Sequence, residues 1–155
     1  MRRRDFSAAL VLAAAGGLAR ARAQGPPKQP RIALVHSGIP ADRLTETGGV
    51  PWVREFFQEL RRLGYADGRN LVVERCSAEG HLDRLADLAR AVVNSHPDAI
   101  VTHGPLVKPL RAATTTVPIV AIMGDPIGEG IVTNLARPGA NITGVSVDGA
   151  IAESW

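Results

Sequence analysis

In this 155-residue chain the residue types able to do chemistry are few: four histidines, one cysteine and scattered serines, threonines and aspartates. Three short stretches stand out because each follows an apolar run. They are Ser37-Gly38, Thr102-His103-Gly104 and Gly124-Asp125-Pro126. Gly104 and Pro105 open a helical pattern whose unpaired N–H groups suit an anion, and Thr102 adds a hydroxyl beside them. A carboxylate fits such a place. Asp125, held in a rigid Gly-Asp-Pro turn, suits a ligand ammonium through a charge-assisted hydrogen bond. The ligand-binding candidates are therefore Ser37, Gly38, Thr102, His103, Gly104 and Asp125, a set that suits a zwitterion such as an amino acid. The plainer role for Thr102 and Asp125 is the capping of helices or turns.

Catalysis and metal binding find less support. His36, His81, His96 and His103 show no short pairing such as HxxxH, so no metal is expected, although His36 and His103 end two strands able to approach each other. Ser37 has no GxSxG elbow around it. Gly128-Glu129-Gly130 is followed by Thr133 where a dinucleotide-binding turn needs its third glycine, so no cofactor is expected either. Cys76 stands alone, which excludes an internal disulfide, a Cys-based zinc site and a CxxC redox pair; it reads as a small apolar residue. No catalytic residue is assigned and the chain is not expected to be an enzyme.

The elements that must position these groups alternate. Apolar runs at 31–37, 71–76, 99–102, 119–123 and 141–146 read as strands, most of them buried on both faces. Between them, Trp52, Val53, Phe56, Phe57, Leu60 and Leu63 recur at helical spacing after Pro51, with Gly64 as a stop. Leu82, Leu85, Ala86, Ala89, Val92 and Val93 make a second stripe, 105–114 a third helix, and 128–135 a short helix interrupted by glycine. Such alternation implies an α/β fold, Rossmann-like, with a parallel sheet of about five strands and helices on both faces. In such sheets ligands collect at the carboxyl ends of the strands, where strand order reverses.

Charge separates the first residues from the rest. Arg2, Arg3, Arg4, Arg20 and Arg22 face only Asp5 within residues 1–23, a net +4, whereas the other 132 residues carry 13 basic and 14 acidic side chains. A body of net charge −1 gives no cationic surface for nucleic acid. Residues 1–23 read as a cleavable signal peptide: a basic start, a 12-residue apolar stretch too short to span a membrane, and Ala21-Arg22-Ala23 as the cut site. Arg3-Arg4-Asp5-Phe6 fits the core of a twin-arginine signal, which makes Arg3, Arg4, Phe6, Ala21 and Ala23 the signal residues. Residues 24–30, with three prolines, read as an extended tether, and 31–146 as one folded lobe.

Several stretches then join into one pattern: Arg3-Arg4-Asp5-Phe6 with Ala23-Gln24, Leu60-Arg61-Arg62-Leu63-Gly64-Tyr65 with Gly68-Arg69-Asn70, and Ala78-Glu79-Gly80 with Asp83-Arg84-Leu85. Ala113-Thr114-Thr115-Thr116-Val117-Pro118-Ile119-Val120 follows, then Gly124-Asp125-Pro126-Ile127-Gly128, and Leu135 through Val145 completes it. In order and spacing these resemble the ABC transporter substrate-binding proteins related to bacterial tryptophan and tyrosine uptake systems. The resemblance implies a type 1 periplasmic-binding-protein fold, two α/β lobes closing on a ligand by a hinge. Members of the family are about twice this length. This chain would accordingly be a fragment, supplying the first lobe, with 147–155 as the start of the hinge crossing. A departure lies at Thr102-His103-Gly104-Pro105-Leu106-Val107-Lys108, where a small-residue Thr-Gly stretch is usual, and it leaves the ligand open.

The function implied is that of an exported, periplasmic solute-binding component that captures a small molecule and delivers it to an ABC permease in the inner membrane. It would not span the membrane, and would be monomeric when complete. A ligand-sensing module of a signalling system is an alternative, as is a small exported hydrolase using His36 or His103. A single lobe covers only part of a cleft ligand, so the chain alone is expected to bind weakly or not at all, and to expose a sheet edge.

Overall fold

The computed structural model describes residues 28–138, 140–148 and 151–154. The expected signal at 1–23 and the first part of the tether lie outside them. Six strands form one sheet: β1 (Arg31–His36), β2 (Val72–Ser77), β3 (Ala99–His103), β4 (Ile119–Met123), β5 (Ile142–Asp148) and β6 (Ile151–Ser154). Their order is β2-β1-β3-β4-β5-β6. The first five are parallel, and β6 returns antiparallel to β5 with Val145 opposite Ser154. Three helices connect successive parallel strands: α1 (Pro51–Arg62) joins β1 to β2, α2 (Leu85–Asn94) carries the chain from β2 past β1 to β3, and α3 (Val107–Ala113) joins β3 to β4. The expected α/β architecture is therefore present.

The two faces of the sheet bury separate cores. Ala33, Val35, Ile100, Ile119, Ala121 and Met123 alternate onto the face covered by α2 and α3, against Leu85, Ala89, Val92, Leu106 and Leu110. Leu34, Val73 and Val101 point the other way, against Val53 and Phe57 of α1 and Leu44 of the preceding loop. This two-sided demand is why the strands read as continuous apolar runs. On the α1 side β4 and β5 are more open, with Val120 and Val147 exposed by 37% and 50% and on the same face by register.

Local chemistry explains the element ends. Helix α1 starts at Pro51, where the missing N–H would be unpaired anyway, and closes with Gly64 at φ +89°. The Tyr65 N–H reaches the Leu60 carbonyl (2.8 Å) and the Gly64 N–H that of Arg61 (2.9 Å), the paired bonds of a Schellman ending. The turn to β2 is held by Asn70, whose side chain accepts the Ala66 N–H (2.7 Å) and donates to the Gly64 carbonyl (2.9 Å). The sequence pattern Leu60 to Asn70 thus encodes a helix stop and a turn. Arg75 ties this region together: it bonds the Asp67 carboxylate (2.6 Å), the Leu44 carbonyl (2.9 Å) and the Val73 carbonyl (3.0 Å), and lies 5.2 Å over the Phe57 ring.

Four details differ from the sequence reading. The helix expected at 128–135 does not form. Instead, the Asp125 carboxylate accepts the N–H groups of Ile127 and Gly128, the Pro126 carbonyl accepts those of Ile131 and Val132, and Gly130 takes φ +69°, which together make compact turns. The second and third helices begin as 3-10 turns, Leu82–Arg84 and Gly104–Leu106, before becoming α-helical. The fifth strand runs on to Asp148 and pairs with β6, where a crossing segment was expected. The end of the tether is docked: Lys28 pairs with Asp98 (3.2 Å), Gln29 donates to the Arg69 carbonyl (2.9 Å), and the Pro30 carbonyl accepts the Val72 N–H (2.9 Å).

Candidate ligand-binding site

Strand order reverses between β1 and β3, because the chain moves from β1 outward to β2 and then back across to β3. The crevice outside the carboxyl ends of these two strands is where such sheets hold ligands. His36 ends β1 and His103 ends β3. Register places them side by side, one step beyond the Val35–Thr102 pair. Alternation turns both rings to the α1 face, in a row with Ser77 on β2 and Ile122 on β4. The first turn of α1 adds Trp52.

The three rings form one cluster. Ring centroids lie 5.4 Å apart for His36 and His103, 6.2 Å for His36 and Trp52, and 6.4 Å for Trp52 and His103, with planes within 24° of parallel. These are offset-stacking distances. Each of the three residues is half-buried, so each keeps accessible surface at the strand ends. Such a cluster offers a planar ligand group or a ligand ammonium an aromatic partner.

His36 is fixed by its own loop. Its Nδ1 accepts the N–H groups of Gly38 (2.9 Å) and Ile39 (2.8 Å). An accepting Nδ1 carries no proton, so the neutral ring bears its hydrogen on Nε2. Burial pushes the His36 pKa below the usual imidazole value, and the neighbouring His103 lowers it further. Both effects disfavour the charged ring.

The sequence candidates divide. His103, Gly104, Ser37 and Gly38 lie at the ends of β1 and β3, although the Gly38 N–H is engaged by His36 and the Ser37 carbonyl accepts the Gly80 N–H (2.8 Å). Thr102 is fully buried on the opposite face, and its hydroxyl has no hydrogen-bond partner among the described residues. Gly104 takes φ +60° and begins a 3-10 turn. Asp125, exposed after β4, spends Oδ1 on the Ile127 (3.1 Å) and Gly128 (2.7 Å) N–H groups, the capping role foreseen for its type. Sequence reasoning missed Trp52 as a site residue, reading it only as part of the apolar stripe of the first helix. The available signal was positional: the helix after β1 starts near that strand's carboxyl end, so an aromatic in its first turn borders the crevice. Among the described residues no three His, Cys, Asp or Glu side chains converge on a metal position.

Residues 50–154 match the family model described as ABC transporter substrate binding protein. That span exceeds half of the chain. The chain belongs to the ABC transporter substrate-binding protein family. Among curated relatives, a tyrosine-binding protein of Clostridioides difficile (strain R20291) is 29% identical over 93 residues, 59% of this chain and 27% of that protein. Three solved structures share the fold of this substrate-binding family member. A conserved domain protein from Vibrio cholerae O1 biovar El Tor str. N16961 superposes with a TM-score of 0.68 at 30% identity, covering 79% of this chain and 40% of that one. The ligand-free, open structure of a substrate binding protein with adhesive properties from Clostridium difficile gives 0.67 at 22%, with the same coverage. An ABC domain in complex with L-Trp from Streptococcus pneumoniae gives 0.63 at 25%, covering 77% and 39%. The chain thus spans about a quarter to two fifths of the length of these relatives. No described helix is long and apolar enough to cross a membrane.

Proposed function

We propose that residues 31–146 form the first of two lobes of an exported solute-binding protein, which captures a small ligand, an amino acid, without chemistry and passes it to an ABC permease. The observation that carries this reading is the three-ring cluster at the strand-order reversal, on a chain of a substrate-binding family. Ser37 and Gly38 follow His36 at the end of β1, and Gly104 follows His103 at the end of β3. Thr102, buried behind the cluster, and Asp125, capping the next turn, act as supports for this wall of the cleft. The relatives supply the ligand class: one is a tyrosine-binding protein and one is seen with L-Trp. Export through the signal residues Arg3, Arg4, Phe6, Ala21 and Ala23 completes the proposal.

One wall buries only part of a ligand that a closed cleft would cover by roughly 70–90%, so binding by this chain should be weak, on the order of millimolar. Isothermal titration of the full chain with free amino acids, and with their amides and decarboxylated amines, tests the reading. Millimolar binding of the zwitterions and loss with either analogue is expected. Equal binding of all three forms, or none at 20-fold excess over ~1 mM, would refute it.

A further inference from the structure

We infer that His36 is a positioning residue that assembles the crevice only while its ring is neutral, so that mild acid loosens the crevice and discharges the ligand. This rests on the binding role proposed above. One ring atom, Nδ1, accepts both the Gly38 and the Ile39 N–H. Protonation there turns the acceptor into a donor that faces two donors, so both N–H groups lose their partner at once. These are the residues by which the chain leaves β1. Ile39 packs into the same apolar cluster as Val50 and Trp52, so release of the loop reaches the third ring directly.

The surroundings oppose a charge without supplying a compensating one. Level with His36 stand the uncharged Ser77 on β2, His103 on β3 and, from α1, Trp52. The charged side chains of these elements and of the loop before α1 are engaged elsewhere: Arg75 bonds Asp67, Glu46 pairs with Arg61, Arg62 pairs with Glu59, Arg43 donates to the Gly48 carbonyl, Arg54 pairs with Glu55, and Glu74, on the far face, pairs with Arg31. Asp42 is exposed in the loop, and Glu79 is exposed after β2. His103 is the ionisable neighbour whose charge bears on His36, and it acts against protonation, in the same direction as burial. The lock is therefore closed at neutral pH.

Hydrogen exchange of the full, ligand-free chain tests the lock. Between pH 7.5 and 5.0 the protection factors of the Gly38 and Ile39 amides should fall by about tenfold, as expected for the loss of a single acceptor. His36→Asn places a non-titrating oxygen near Nδ1 and should keep protection constant, whereas His36→Phe should lack it at both pH values. His103→Gln should move the midpoint to higher pH. Ring nitrogen shifts should show Nδ1 unprotonated at pH 7.5. Unchanged protection in the wild type, a proton on Nδ1 at pH 7.5, or a persistent acid step in His36→Asn would overturn the inference. Titration with L-tyrosine separates the two readings. Equal affinity at both pH values overturns the switch and leaves the binding role standing; no binding at either overturns the binding role, and the discharge with it, whatever the amides show.

Discussion

Arg75→Ala should destabilise the chain by about 3 kcal/mol, out of the 5–15 kcal/mol typical of a domain. Arg75 makes two bonds to main-chain carbonyls, Leu44 and Val73, worth about 1 kcal/mol each. Its pair with Asp67 is about a quarter exposed on either side and so adds roughly 0.5–1 kcal/mol. The guanidinium over Phe57 contributes about 0.5 kcal/mol more. At a urea m-value of about 1.5–2 kcal/mol/M, the unfolding midpoint should fall by roughly 1.5–2 M. Arg75→Lys keeps a point charge for Asp67 but loses the fork geometry, and should cost about 2 kcal/mol. Because Leu44 leads into the helix that carries Trp52, the indole fluorescence of Trp52 in a Trp155→Phe background should shift before the global transition in both variants. A loss below about 1 kcal/mol in Arg75→Ala, or wild-type behaviour of Arg75→Lys, would show that Arg75 is a solvated side chain and that the loop is held by packing alone.

Three further outcomes follow from the same geometry. Asn141→Ala removes donors to the Thr114 (3.3 Å) and Val117 (2.7 Å) carbonyls and should cost about 1–2 kcal/mol by chemical denaturation. Gly64→Ala meets no steric obstacle but forces φ +89°, so its cost should be about 1 kcal/mol of backbone strain with an unchanged m-value. For pH, His36 binds a proton less readily in the fold than in the unfolded chain. Stability should therefore decline as pH falls below the ordinary imidazole value near 6.5, then level off below the folded-state value, and this component should vanish in His36→Asn.

The parallel sheet was legible because its strands are buried on both faces, so runs such as Ile32-Ala33-Leu34-Val35 carry no alternation and yet are too short to be helices. Helix α1 was legible from Pro51, its apolar stripe and Gly64. What escaped depends on register or on long-range partners. The meeting of His36 and His103 follows only once β1 and β3 are known to pair in parallel with Val35 opposite Thr102. The role of His36 Nδ1 depends on the path of three residues, and that of Arg75 on a loop 31 positions earlier. The false helix at 128–135 came from reading an apolar pattern through Gly128 and Gly130, where an Asp125 side chain and a positive φ instead favour turns. Strand β6 has four residues and no alternation strong enough to announce itself.

The central claim is that the ring cluster between β1 and β3 is one wall of an amino-acid cleft. Its most direct test is an amide and indole NMR titration of the full chain with L-tyrosine at neutral pH. The expected result is fast-exchange shifts confined to the amides of 36–39, the Trp52 indole and the amides of His103 and Gly104, saturating in the millimolar range. Shifts centred instead on the groove between α2 and α3, around Ala86, Val93 and Ala112, or no shifts at all, would contradict it.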